Sequence, residues 1–280
     1  MADLIKGIDI STIQGHVDFA ACKAAGLDFV VCRCGVGNGG KDGLYDQNVA
    51  NATAAGMKVA AYNFIYPLPP LAGQPLRDPV KQAQLHAGWT GKNVTVVACD
   101  LEWPTPDQWA KWGCTAQQII TWTVAYLEAY EAATGIRPIV YTYPYFAQAI
   151  KLPQSFADKY KLWIASYQAG SPSVPHPWTD WVMWQDSSGP YHLPVSGAVV
   201  DTNKMKALSD LWPDAPVAPP PDPTPVPVPD PTPPPPDPVP APVQAPVPAP
   251  APAPAPVSGG NIFLLVWQIL SGLFSKYVKR

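Results

Sequence analysis

The sequence predicts an α/β fold, a β/α barrel of eight strands, and three observations carry that prediction. Eight strand-like runs recur within residues 1–212, the first five of them separated by helical stretches. Gly26, Gly56 and Gly135 each follow a helical stretch, as helix-ending glycines do. Most of the unusual polar residues fall at the carboxyl ends of the strand-like runs, where a parallel barrel gathers its chemistry.

Taken in order, the strand-like runs cover 6–11, 28–34, 58–65, 94–102, 138–143, 162–167, 181–186 and 198–202. The helical stretches cover 19–25, 46–55, 79–88 and the long 115–134. Thr115 followed by Gln118 has the spacing of a capping box, which fixes the start of the last of these. Little helix is expected between the final strands, so a parallel barrel with short closing connections is predicted.

Composition divides the chain into three parts. Residues 1–212 are aromatic-rich and periodic, long enough for one large core. Across 213–260 proline recurs every second or third residue, as in Pro246-Val247-Pro248-Ala249-Pro250. Proline lacks an amide donor and fixes φ, so this part reads as an extended polyproline spacer reaching on the order of 100 Å. A ligand for an aromatic groove is the lesser reading, since flanking arginines are missing.

Residues 261–280 read as an apolar helix begun by Asn261 and closed by Lys276, Lys279 and Arg280. The stretch 262–278 lies at the short edge of a bilayer span and is interrupted by Gln268, Ser271, Ser275 and Lys276. An interfacial helix fits equally well, and so does a partner-docking or oligomerisation helix.

The formal charge of −3 and the absence of a basic cluster before the tail argue against nucleic acid. The four histidines (16, 86, 176 and 192) are scattered, and no metal or other cofactor is expected. Five cysteines with no repeated close spacing read as buried free thiols; Cys32 and Cys34 lie on one strand and point the same way. The opening residues run straight into a strand with no secretory pattern, which predicts synthesis in a cytoplasm and another route to the site of action.

The most informative string is Val96-Val97-Ala98-Cys99-Asp100-Leu101-Glu102-Trp103. Alternation puts Asp100 and Glu102 on one face at the carboxyl end of a buried strand. Placing two carboxylates there costs stability, and acid–base work on a glycosidic or similar bond explains it. Asp9 and Ser11 share a face at the end of the first strand, and Asp201 ends the eighth. Tyr62 and Phe64, Tyr141 and Tyr143, Trp163 and Tyr167, and Gln185 are brought to the same end. Acids that move protons, ringed by flat side chains that stack on sugars, predict a neutral, ring-bearing substrate.

Structural roles compete with these readings. Asp9 could tie the barrel mouth through Ser11 or backbone amides, and Asp201 could cap a strand by pairing with Arg33. Any single aromatic could simply fill core. For Glu102 a structural role is the weakest reading, because an uncompensated buried carboxylate only destabilises.

The strings Gly7-Ile8-Asp9-Ile10-Ser11 with Gln14-Gly15, Asp100-Leu101-Glu102, Trp163-Ile164-Ala165-Ser166-Tyr167, Trp184-Gln185 and Val200-Asp201 resemble, in order, the glycoside hydrolase family 25 lysozymes. These are the Chalaropsis-type muramidases of fungi, bacteria and their phages, and the chain looks like a phage endolysin among them. The resemblance implies a flattened TIM-like barrel of eight strands and about five helices. It also implies hydrolysis, with retention, of the β-1,4 bond between N-acetylmuramic acid and N-acetylglucosamine in bacterial peptidoglycan.

By the same resemblance Glu102 matches the general acid, Asp100 its partner carboxylate, and Asp9 and Asp201 the remaining acids. Tyr62, Trp163, Tyr167 and Gln185 are expected at the sugar, and Arg33 is expected to face the acids and hold them ionised. Asn63 departs from the histidine frequent in relatives, and the proline-rich loop 67–75 lengthens one lip of the groove.

The absent wall-binding repeats leave the tail as a tether to a membrane surface, a virion or an oligomer partner. The expected place of action is the bacterial wall, reached from the host cytoplasm in phage-mediated lysis. Two rival functions are a non-catalytic wall-binding barrel with a membrane-active tail and a chitinase-like hydrolase. The latter typically carries a longer acidic string than Asp100-Leu101-Glu102.

Overall fold

A computed structural model describes residues 4–68 and 78–213. The expected spacer, the 261–280 helix and most of the loop 67–75 lie outside the described residues. Among the described residues there are nine strands: β1 (Ile5–Ile10), β2 (Phe29–Val36), β3 (Gly40–Lys41), β4 (Lys58–Phe64), β5 (Val97–Asp100), β6 (Ile139–Thr142), β7 (Leu162–Ala165), β8 (Met183–His192) and β9 (Val199–Met205). The helices are α1 (Phe19–Ala24), α2 (Tyr45–Ala54), α3 (Pro79–Thr90), α4 (Trp109–Trp112), α5 (Ala116–Thr134), α6 (Pro144–Ile150) and α7 (Gln154–Lys159).

Eight strands close into a barrel in the order β1-β9-β8-β7-β6-β5-β4-β2, with β1 pairing β2 to complete the ring. The short β3 is hairpinned onto β2 outside it. From β1 through β2, β4, β5, β6, β7 and β8 neighbouring strands run parallel. The all-parallel expectation fails at the last strand: β9 runs antiparallel to both β8 and β1. The reason is the connection, since a turn of a few residues can only reverse the chain, whereas a parallel return needs a crossover.

Local signals fix the helices. Asp18 accepts from the Ala21 amide to start α1, and Asp78 accepts from Val80 and Lys81 at the head of α3, where Pro79 needs no donor. The predicted capping box at Thr115 and Gln118 is present, and Gly135 ends α5 in the left-handed region at φ 73°. Helices α4, α6 and α7 are not among the expected stretches; all are short, and α6 starts at Pro144, one residue past β6, on the N-cap Tyr143. Among the described residues no helix is long and apolar enough to cross a membrane.

Alternation along each strand builds two apolar layers. Phe29, Val31, Ala60, Ala98, Tyr141, Trp163, Met183 and Met205 fill the barrel interior as one cluster. The intervening residues, among them Val30, Cys32, Ala61, Cys99, Val140, Ile164 and Trp184, are buried on the outer face under the helices. All five cysteines are buried and outside any disulfide, as expected, and burial raises the Cys34 thiol to about 12.

Candidate active site

The four acids meet at the carboxyl mouth of the barrel. Asp9 in β1 lies directly across the ladder from Asp201 in β9. Asp100 is the last residue of β5, opposite Phe64 of β4 and Tyr141 of β6. Glu102 lies two residues past the end of β5 rather than inside it, which shortens the predicted strand. The Leu101 amide still donates to the Tyr141 carbonyl at 2.9 Å, and Leu101 is fully buried. The alternation therefore carries one step beyond the strand and leaves Asp100 and Glu102 on the inner side.

Gln185 is the centre of the polar network. Its Nε2 donates to Asp9 Oδ2 at 2.8 Å and to Asp201 Oδ2 at 3.4 Å. Its Oε1 accepts from the hydroxyls of Tyr141 at 2.9 Å and Tyr167 at 2.7 Å. Asn203 supplies the second donor to Asp9 Oδ2, at 2.7 Å, while its own Oδ1 accepts from the Trp163 indole at 2.8 Å. Asp9 is thus anchored by side chains of β8 and β9. Ser11 does not serve it: the Ser11 hydroxyl accepts from the Ile13 amide and meets Gln14 in a capping box.

Arg33 does not pair with Asp201. Its Nε donates to Asp42 Oδ2 at 3.0 Å and a terminal nitrogen lies 2.9 Å from the same oxygen. Asp42 also accepts from the Thr12 and Leu44 amides, so the guanidinium is held by a fully enclosed carboxylate. From that position the positive charge of Arg33 still lowers the pKa of Asp100.

Burial dominates the acids' proton affinity. It pushes Glu102 up to about 7, with the charge of Asp9 adding to the push. Asp201 rises to about 8 by burial, then by repulsion from Asp9 and Glu102. Burial takes Asp9 only to about 6, because the donors of Gln185 and Asn203 favour its charged form. Asp100 is pushed well above the ordinary carboxylate range by burial, Glu102 and Asp9, against the pull of Arg33. Its Oδ1 is buried with no hydrogen-bond partner.

Raised carboxyl pKa values make the folded state hold protons that the unfolded chain releases. Their stabilisation is fully present below the ordinary values of 3.8 and 4.5, and is lost as pH rises through 6 to 8. His86, lowered to about 4 by burial, acts in the opposite sense and loses its contribution as pH falls toward that value. The melting temperature should therefore drop on the order of 5 °C between about pH 5.5 and pH 8.5. Asp201→Asn should flatten that fall; calorimetry across pH checks both.

Most residues singled out from the sequence gather at this mouth, but in different positions. Tyr62 and Tyr167 flank the acids and respond to their charge. Trp163 is 2 % exposed and forms the floor, its ring edge-on to Tyr62 at 6.2 Å and to Tyr141 at 4.6 Å. Gln185 has its donors and acceptor engaged by protein. Sequence reasoning overlooked Asn203, although it shares the inward face of β9 with Asp201, and Asp42, whose role arises only when β3 folds back on β2.

One carboxyl that keeps its proton near neutrality, a second beside it and two more across the mouth can protonate a leaving oxygen and steady positive charge at a sugar carbon. Such a set at the end of a β/α barrel defines a glycoside hydrolase. Residues 8–192, more than half of the chain, match the family model "Glycosyl hydrolases family 25". The chain belongs to that family.

Among its relatives is Lysozyme M1 of Streptomyces globisporus, 29 % identical over 202 residues that make up 71 % of this chain and 67 % of that one. An N,O-diacetylmuramidase of Chalaropsis sp is 26 % identical over 65 % of this chain and 88 % of its own. The family GH25 lysozyme structure from Aspergillus fumigatus is 25 % identical with a TM-score of 0.62, covering 75 % of this chain and 97 % of that one.

Proposed function

We propose that the chain is an N-acetylmuramidase that hydrolyses the β-1,4 bond between N-acetylmuramic acid and N-acetylglucosamine in bacterial peptidoglycan, with retention. The observation that carries the reading is Glu102, raised to about 7 beside Asp100 in a family 25 barrel. At neutral pH a large fraction of Glu102 still holds the proton that the leaving oxygen needs. Once the bond is broken, its carboxylate takes a proton from the incoming water.

Asp100 presents a buried, unpartnered oxygen to the site. That oxygen suits an acceptor for the acetamido N–H of the sugar, which would then attack its own anomeric carbon through the acetyl oxygen. Asp201 sits nearest in role, steadying the reacting sugar, while Asp9, Gln185 and Asn203 hold the opposite wall. Tyr62 and Tyr167 are proposed sugar contacts and Trp163 the floor beneath them; Arg33, held by Asp42, does not keep the acids ionised as expected and only partly offsets the burial of Asp100.

The enzyme is proposed to act at the bacterial wall in phage-mediated lysis. Composition alone supports segment 213–260 as a spacer and 261–280 as an apolar, cation-ended contact for a membrane or particle partner. The test is mass spectrometry of soluble products from purified peptidoglycan. Muropeptides ending in reducing N-acetylmuramic acid are expected. Reducing N-acetylglucosamine ends, or no release from several wall types, would overturn the reading.

A further inference from the structure

An aromatic ladder leads from the acid to the surface and is used by nothing described above. Phe64, at the mouth end of β4, meets Tyr66 with ring centroids 5.4 Å apart. Tyr66 meets Trp103 at 4.8 Å, and Trp103 meets Trp112 at 5.0 Å, all close to edge-on. Trp103, the third ring, is the residue after Glu102, so the ladder passes next to the proton donor along the chain. It ends at Trp112, one of the exposed large apolar residues among the described residues, at 37 %.

The ladder is held rigidly from behind. Gly37 packs so closely on Tyr66 that an added Cβ would meet the ring at 2.2 Å. The Gly37 amide donates to the Phe64 carbonyl at 2.7 Å, and its carbonyl lies 2.8 Å from His86 Nε2. A carbonyl can only accept, so Nε2 carries the proton and Nδ1 accepts from the Tyr126 hydroxyl at 2.7 Å. Gln82 accepts from the Tyr66 amide at 3.2 Å.

The far end is built as carefully. The 3-10 turn Pro106–Gln108 starts on the Thr105–Gln108 capping box, and the Trp109 indole donates to the Pro104 carbonyl at 2.9 Å. On the same lip the Tyr145 hydroxyl reaches Asp107 at 3.4 Å, and Lys111 lies 5.8 Å from the Trp112 ring centre. An exposed tryptophan with an ammonium group at its ring, on a lip that also carries a hydroxyl and a carboxylate, is the mix that a sugar requires: an apolar face for its C–H groups and polar partners for its hydroxyls.

We infer that Trp112, backed by Trp103, is a glycan subsite that stacks a pyranose ring of the chain on the leaving-group side of the scissile bond. The side follows from Glu102, which must face the leaving oxygen; the inference therefore rests on the proposed function. Preorganisation of the ladder means little ordering cost falls on binding, so one ring should carry a sizeable share of affinity.

The test uses the full chain carrying Glu102→Gln and a β-1,4-linked tetrasaccharide of N-acetylglucosamine as the probe. Binding is read by calorimetry and by indole fluorescence. Adding Trp112→Ala should weaken the Kd about tenfold, and Trp112→Phe should recover part of that loss because a smaller flat ring remains. A change below about twofold in the alanine variant, or no detectable binding of the probe before it is introduced, would overturn the subsite.

The two proposals separate by outcome. Wall cleavage by the unmodified chain with Trp112-independent sugar binding removes the subsite alone. Trp112-dependent binding without wall cleavage removes the muramidase reading and, with it, the assignment to the leaving-group side, leaving only a sugar contact at Trp112.

Discussion

Glu102→Gln should lower kcat on purified peptidoglycan by about 10³-fold or more, with little change in KM. The amide keeps the shape and one donor of the side chain but cannot deliver a proton to the leaving oxygen, and proton transfer of this kind contributes roughly 10²–10⁴ in rate. Because burial and Asp9 hold Glu102 near 7, the activity of the unmodified chain should fall as pH rises through that value. Glu102→Asp should retain a small residual rate, its carboxyl standing one methylene short. The measurement is turnover of soluble muropeptides between about pH 5 and pH 9. A Glu102→Gln protein within about tenfold of the parent rate would move the acid elsewhere.

Gln185→Leu should be the most damaging change to the site that leaves every carboxylate in place. Leucine fits the volume but cancels two donations to Asp9 and Asp201 and two acceptances from Tyr141 and Tyr167. Each buried group left without a partner costs about 1–3 kcal/mol, so a loss of roughly 3–5 kcal/mol in stability is expected. Asp9 would keep only Asn203, and its charge would become less favourable. Freed of its clamp the acid ring should shift, and displacements on the order of 1 Å cost about 10² in rate. Tyr167→Phe should cost far less, and the double variant should be less than additive, since both remove the same bond. Denaturant melts and kcat on the four proteins check this. Equal, additive effects would mean that Gln185 acts independently of the tyrosines.

The contrast between these two residues shows what a linear reading could reach. Glu102 stood out because two carboxylates at the end of an apolar run have few inexpensive explanations. Gln185, beside Trp184, reads from the sequence as a sugar contact. That it is saturated by four protein partners depends on β6, β7, β1 and β9 all converging on β8, which no spacing in the chain encodes. Trp112 carries no signal in the sequence, because a tryptophan in a short polar segment looks the same whether it fills core or lines a groove.

Arg33 makes the same point. Its inward direction followed from alternation with Cys32 and Cys34. Its partner did not, because Asp42 reaches it only through the hairpin of β2 with the two-residue strand β3. Nor did the sense of β9: its apolar and polar alternation is identical whichever way it runs, and only the short turn from β8 sets it antiparallel.

By itself the sequence determined the periodicities, the caps and the strand ends, and with them an eight-strand α/β barrel carrying acids at its mouth. These are local properties, set by a residue and its neighbours within a few positions. The tertiary structure decided which acid is anchored, which keeps its proton and which aromatic stays open to solvent. Those depend on burial and on partners far apart in the chain, such as Asp9 and Gln185, and burial exists only once the barrel has closed.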